Sequence, residues 1–153
     1  MRYLAPVLAL MFIAALPGVA GAGSGPVTEV LKGKTSQNLR ADVRVGQDAQ
    51  IVRVAVKYKA RCRRSVHRGR IVWRDEDGEA GFQRDADFFS FFDSSTTRVR
   101  RKRAIVTSTV TGEPANGGGY EGQFRLTIRV SNRSGRTIDT CRTGTQTYRV
   151  SDE

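Results

Sequence analysis

Few groups in this chain are able to do chemistry. Among 153 residues there is one histidine, His67, and there are two cysteines, Cys62 and Cys141. A catalytic triad needs a base held beside a nucleophile. His67 stands among Arg63, Arg64, Arg68 and Arg70, whose charges disfavour its protonation, so it reads as a loop side chain. No Gly-x-Ser-x-Gly elbow occurs. Zinc takes several His or Cys ligands, and one histidine plus a cysteine pair expected to be bridged falls short. The expectation is therefore no catalytic residue, no metal and no cofactor.

The carboxylates give little more. Asp75, Asp77 and Glu79 surround Gly78, but glycine comes fourth where a calcium loop wants it sixth, so the segment reads as a polar turn. Asp85, Asp87 and Asp93 are the material for the main alternative, a secreted hydrolase whose paired carboxylates lie between that turn and the phenylalanine segment. Gly117, Gly118 and Gly119 lack the Lys-Ser/Thr and helix of a phosphate cradle.

Cations are plentiful. The net charge is +11, and lysine occurs only at 32, 34, 57, 59 and 102, leaving arginine dominant. Two clusters stand out, Arg61, Arg63, Arg64, Arg68 and Arg70, then Arg98, Arg100, Arg101, Lys102 and Arg103. Guanidinium forks match phosphate and carboxylate. If the two clusters meet, the expected partner is an anionic polymer or an anionic envelope surface. The competing reading is a solvated face that keeps strand edges from pairing with other chains. Aromatics interleaved with the cations would point to nucleic acid, but they gather instead at Phe88, Phe89, Phe91 and Phe92. That segment reads as core or cap, with a groove for a glycan or small apolar molecule as a further alternative.

The elements that must carry these residues are strands. In residues 51–62 Val52, Val54, Val56, Tyr58, Ala60 and Cys62 share one parity, while Arg53, Lys57, Lys59 and Arg61 share the other. A period of two means one buried face and one wet face. Residues 38–45 alternate likewise and join this run through Gly46, Gln47 and Asp48 as a hairpin. Phe124, Leu126, Ile128 and Val130 alternate with Arg125, Thr127 and Arg129. Residues 63–70, 94–97 and 112–119 read as loops or turns, 99–110 as a strand, and 137–142 and 145–150 as the last two strands. No helical period competes. The expected fold is all-β, an antiparallel β-sandwich of immunoglobulin-like or jelly-roll-like order with one disulfide.

Residues 1–22 are expected to be a signal peptide: Arg2, an apolar run over 4–16, a break at Pro17 and Gly18, and small residues Ala20, Gly21 and Ala22 before cleavage after Ala22 or Ala20. The apolar run is shorter than the ~20 residues of a membrane span. Residues 23–28 form a flexible lead-in, and 29–153 a single domain with no transmembrane span. Export to an oxidising compartment makes Cys62–Cys141 the expected bridge, and the chain is expected to be secreted or held at the cell envelope. The segments Gly33-Lys34-Thr35-Ser36-Gln37, Ala60-Arg61-Cys62, Gly119-Tyr120-Glu121-Gly122-Gln123-Phe124 and Asp139-Thr140-Cys141-Arg142-Thr143-Gly144-Thr145 resemble small secreted bacterial β-sandwich proteins of unknown function. The resemblance implies the strand layout and the cysteine pair and brings no activity. The combined expectation is an exported, basic, non-enzymatic β-sandwich that binds anionic envelope polymers.

Overall fold

The computed structural model describes residues 26–47, 50–74, 83–85 and 88–152, with backbone alone for 83–85. The segment expected to be a signal peptide, the start of the expected lead-in, the segment 75–79 expected to be an acidic turn, and Asp87 lie outside them. The described residues form nine strands: β1 (Val27–Thr35), β2 (Arg40–Gly46), β3 (Ile51–Arg61), β4 (Val66–Arg74), β5 (Gln83–Asp85), β6 (Phe88–Val99), β7 (Lys102–Pro114), β8 (Tyr120–Ser131) and β9 (Thr137–Ser151). They contain no α-helix.

Alternation decides which side each strand buries. On β3 Val54, Val56, Tyr58 and Ala60 are buried while Lys57 and Arg61 are exposed; on β8 Phe124, Leu126, Ile128 and Val130 are buried between exposed Arg125 and Arg129. The strands make one sheet in the order β4-β3-β2-β1-β9-β8-β7-β6-β5. Every pairing is antiparallel. The sheet curls so that its inner side closes on one core cluster drawn from β1–β4 and β6–β9 alike. Across that core the Trp73 indole Nε1 of β4 donates to Ser108 Oγ of β7 at 3.0 Å. The strand order is not the immunoglobulin or jelly-roll order. Those need chain crossings between layers, whereas the turns here mostly close each strand onto its successor.

The disulfide occupies a particular joint. The β1–β2 turn is short of the ends of β3 and β9, so those two strands approach each other above it. Gln37 bridges the gap: Lys59 N–H donates to Gln37 Oε1 (2.7 Å), and Gln37 Nε2 donates to the Lys59 carbonyl (2.9 Å). Beyond it Arg61 pairs with Arg142 of β9. Cys62 is then bonded to Cys141, with the Cα atoms 3.9 Å apart and 79 positions between them in sequence. The bridge thus joins neighbouring strands of one sheet. Closing a loop of that length contributes about 4–5 kcal/mol through the unfolded chain.

Three local expectations are corrected. Residues 94–97 are not a turn but lie inside β6; the reversal comes at Arg100 and Arg101, between paired Val99 and Lys102. The loop expected over 63–70 shrinks to the turn closed by the Cys62 N–H to Ser65 carbonyl bond (2.8 Å), and β4 begins at Val66. The last two strands are one strand with a bulge: Leu126 opposes Gly144 (φ 68°) and Thr127 opposes Arg142. Thr143 fills the interruption by accepting the Leu126 N–H on Oγ1 at 2.9 Å.

Candidate functional site: a basic cleft over the disulfide

The turn after β3 and the turn after β6 stand at the same end of the curled sheet. Between them opens a cleft of about 440 Å³ whose lining includes Arg63, Arg64 and His67 from one side, Arg100 and Lys102 from the other, and Val99, Val130, Ile138 and the disulfide below. Two segments more than thirty positions apart in sequence therefore face each other with like charge.

Each wall is fixed differently. The β3–β4 turn is tied by the disulfide and by Asp139, whose Oδ1 accepts the backbone N–H groups of Arg63 (3.2 Å) and Thr140 (2.8 Å). The β6–β7 turn is a two-residue reversal with Arg100 at φ 49° and Arg101 at φ 65°. Such turns favour Asn-Gly because positive φ at other residues costs about 1 kcal/mol each. Strain of this kind persists where its surroundings impose it, and it collects at functional sites. Here it carries Arg100 to the cleft.

His67 lines the cleft with its ring 6.0 Å from that of Tyr58. Partial burial, and then the positive charge of Arg100, hold its imidazole below the ordinary value of 6.5. Asp139 is the one carboxylate residue among the described lining. Cys62, Cys141 and Asp139 cluster as metal ligands do, but both sulfurs are bonded to each other, which leaves one carboxylate. The described lining can therefore hold an anion through guanidinium and ammonium donors.

The sequence clusters are only partly reunited. Arg63, Arg64, Arg100 and Lys102 line the cleft. Arg61 and Arg68 line a neighbouring hollow of about 760 Å³ with Lys59, Arg142 and Gln37, and Val66 borders both hollows. Arg70 points to the outer face, where its Nη2 lies 2.9 Å from Asp42 Oδ2. Arg98 and Arg103 oppose each other across β6–β7, exposed and outside the cleft, while Arg101 is exposed at the turn. Lys59 and Arg142 were not among the candidates from sequence. The signal for them was the period-two alternation of β3 and β9, but only the register brings them together.

The other candidates separate too. Phe89 and Phe91 enter the core, and Phe88 and Phe92 stay exposed on the opposite side of β6. Of the proposed hydrolase carboxylates, Asp87 and the acidic turn lie outside the described residues, and Asp93 opposes Ser108 within β6–β7. No helix among the described residues is long and apolar enough to cross a membrane. Comparison of the chain with protein-family models, curated proteins and solved structures gave no match.

Proposed function

We propose that the protein is an exported, non-enzymatic binding protein that captures phosphate or carboxylate groups of anionic envelope polymers in the basic cleft. The observation that carries this reading is the convergence of Arg63 and Arg64 with Arg100 and Lys102 around one concavity holding a single carboxylate among its described lining. Guanidinium forks hold oxyanions by paired hydrogen bonds, and a concave wall of low polarity strengthens each bond. The reading treats the curled sheet as a two-layer sandwich open at the cleft end, and residues 1–22 as the export signal. The disulfide is in keeping with export.

The test is retention on immobilised polyphosphate across a salt gradient. Wild-type protein is expected to elute later than Arg63→Glu/Arg100→Glu, with retention weakening steeply as ionic strength rises. Equal elution of the two proteins, or retention indifferent to salt, contradicts the reading. Export is checked separately by the mass of the secreted chain, which is expected to begin at Gly23 or Gly21.

A further inference from the structure

The hollow beside the cleft exists because the sheet is interrupted there. The β1–β2 turn leaves a gap between β3 and β9 that Gln37 fills, and the bulge at Thr143 and Gly144 breaks the ladder of β9. Bulges re-aim side chains and gather beside functional sites. Arg61 stands directly opposite Arg142 across β3 and β9, and Lys59 stands opposite Arg68 across β3 and β4. All four line the hollow. Arg61, Arg68 and Arg142 are exposed and Lys59 is half-buried, so these cations are open to a ligand. Among the described residues no acceptor meets the side chain of any of the four, and no carboxylate lines the hollow.

The neutral part of the lining suits an anion as well. Its oxygens already accept hydrogen bonds: Gln37 Oε1 from the Lys59 N–H (2.7 Å), and Gln146 Oε1 from the Ser36 hydroxyl (2.8 Å). The Thr143 carbonyl accepts from Gln146 Nε2 (2.8 Å), and the Gly144 carbonyl from Thr143 Oγ1 (2.7 Å). Ser36 Oγ in turn accepts the Thr147 N–H at 3.2 Å, which fixes the direction of its own bond. A carboxamide has two N–H donors. Gln37 gives one to the Lys59 carbonyl and Gln146 gives one to the Thr143 carbonyl, so each keeps a second. The hollow therefore joins four cations to two amide donors, with the acceptors beside them capped.

We infer that the hollow is a second oxyanion site, which takes a phosphate group of the same polymer chain that the cleft holds. The inference rests on the cleft reading for the first site and adds the second. Four cations around one hollow match a multiply charged phosphate better than a singly charged carboxylate. An anion between Arg61 and Arg142 also offsets the repulsion of like charges set opposite each other on a sheet. The two sites adjoin. Arg61 of the hollow is two positions from Arg63 of the cleft, and Val66, itself exposed, borders both. One chain can cross that valine and occupy both sites, and each site then raises the effective concentration of anion at the other.

The experiment compares the wild-type protein with three variants that each lose two cations. They are Arg61→Gln/Arg142→Gln in the hollow, Arg63→Gln/Arg100→Gln in the cleft, and Arg125→Gln/Arg129→Gln on β8 as a charge-matched control. Each is checked for an unchanged far-ultraviolet spectrum, and Arg68→Gln replaces the hollow variant if that one misfolds. Equilibrium dialysis with pyrophosphate at low salt is expected to find two saturable sites on the wild type and the control. The hollow and cleft variants should each keep one. Either variant is expected to bind long-chain polyphosphate about a hundredfold more weakly, and the control at most about twofold. A hollow variant that keeps both pyrophosphate sites overturns the inference. A single wild-type site that only the cleft variant loses also overturns it and leaves the proposed function standing. Loss of a site with only a twofold loss of the long polymer overturns the shared chain. Wild-type protein that binds neither anion overturns both readings.

Discussion

The two outer faces of the curled sheet treat arginine in opposite ways. On β8 each arginine is set against neutral residues, Arg125 between Thr109 and Thr145 and Arg129 between Ile105 and Thr140; on the flanking strands Arg149 lies between Glu121 and Lys34, and Arg103 opposes Arg98. On β2, β3 and β4 arginine opposes arginine, with Lys57–Arg70 and Lys59–Arg68 behind it. Both faces alternate with a well-packed inner side, but Arg125 and Arg129 are exposed whereas Arg44, Arg53 and Asp42 are half-buried or buried. The difference teaches that, among the described residues, the strands leading to the cleft set cations side by side across their register. Arg142 marks the seam, since it opposes Thr127 on one flank and Arg61 on the other.

Substitutions that exchange the habits of the two faces sharpen the comparison. The largest effect is expected at Asp42, which is buried and ion-paired beneath the cations. Asp42→Ala removes the acceptor of Arg70 and should lower unfolding free energy by about 2–3 kcal/mol in chemical denaturation. Glu121→Ala on the other face should change it by less than about 0.5 kcal/mol. Equal losses would erase the distinction.

The β6–β7 turn comes next. Replacing Arg100 and Arg101 by Asn and Gly supplies residues that accept positive φ, so stability should rise by about 1–2 kcal/mol while tripolyphosphate binding weakens. A gain in stability with binding intact would mean that the strained arginines serve no anion. Smaller still is the direct exchange. Arg53→Thr should stabilise the fold by about 0.5 kcal/mol at low salt, with the gain fading at high salt, and Thr127→Arg, placed beside Arg142, should cost a similar amount.

The smallest signal is the titration of His67, which is readable because it is the only histidine. Its folded value is held below 6.5 by burial and Arg100. Between the folded and unfolded values the unfolded chain binds the extra proton. The stability contribution of His67 is therefore present above about pH 6.5 and lost as pH falls through the folded value. An anion in the cleft offsets the charge of Arg100, so proton NMR should show the His67 titration moving upward on adding phosphate, and affinity should strengthen as pH falls. An unmoved titration would place the anion elsewhere.

Much of the sheet was legible in the sequence because alternation states which side is buried. β3 and β8 read directly, as did the β2–β3 hairpin and the cysteine pair. What alternation lacks is register and direction of curl. The turn at Arg100–Arg101 carries no glycine or asparagine, and the polar run of β6 from Ser94 to Thr97 looks more like a turn than the turn itself does. The bulge at Thr143–Gly144 made β9 look like two strands. The meander order was hidden because short turns fit it and a sandwich equally. For the site, the arginine clusters were visible as composition, but only folding divides them among cleft, hollow and outer face. The Arg44–Arg53–Arg74 row arises from pairing three strands, so no single run of sequence displays it.

The most direct test follows backbone amide shifts while tripolyphosphate is titrated into the protein. The account predicts that amides of residues 62–67 and 99–102 move together along one saturating curve, since both segments hold the same anion. Shifts confined to one segment, or scattered over every exposed arginine without saturation, would contradict it.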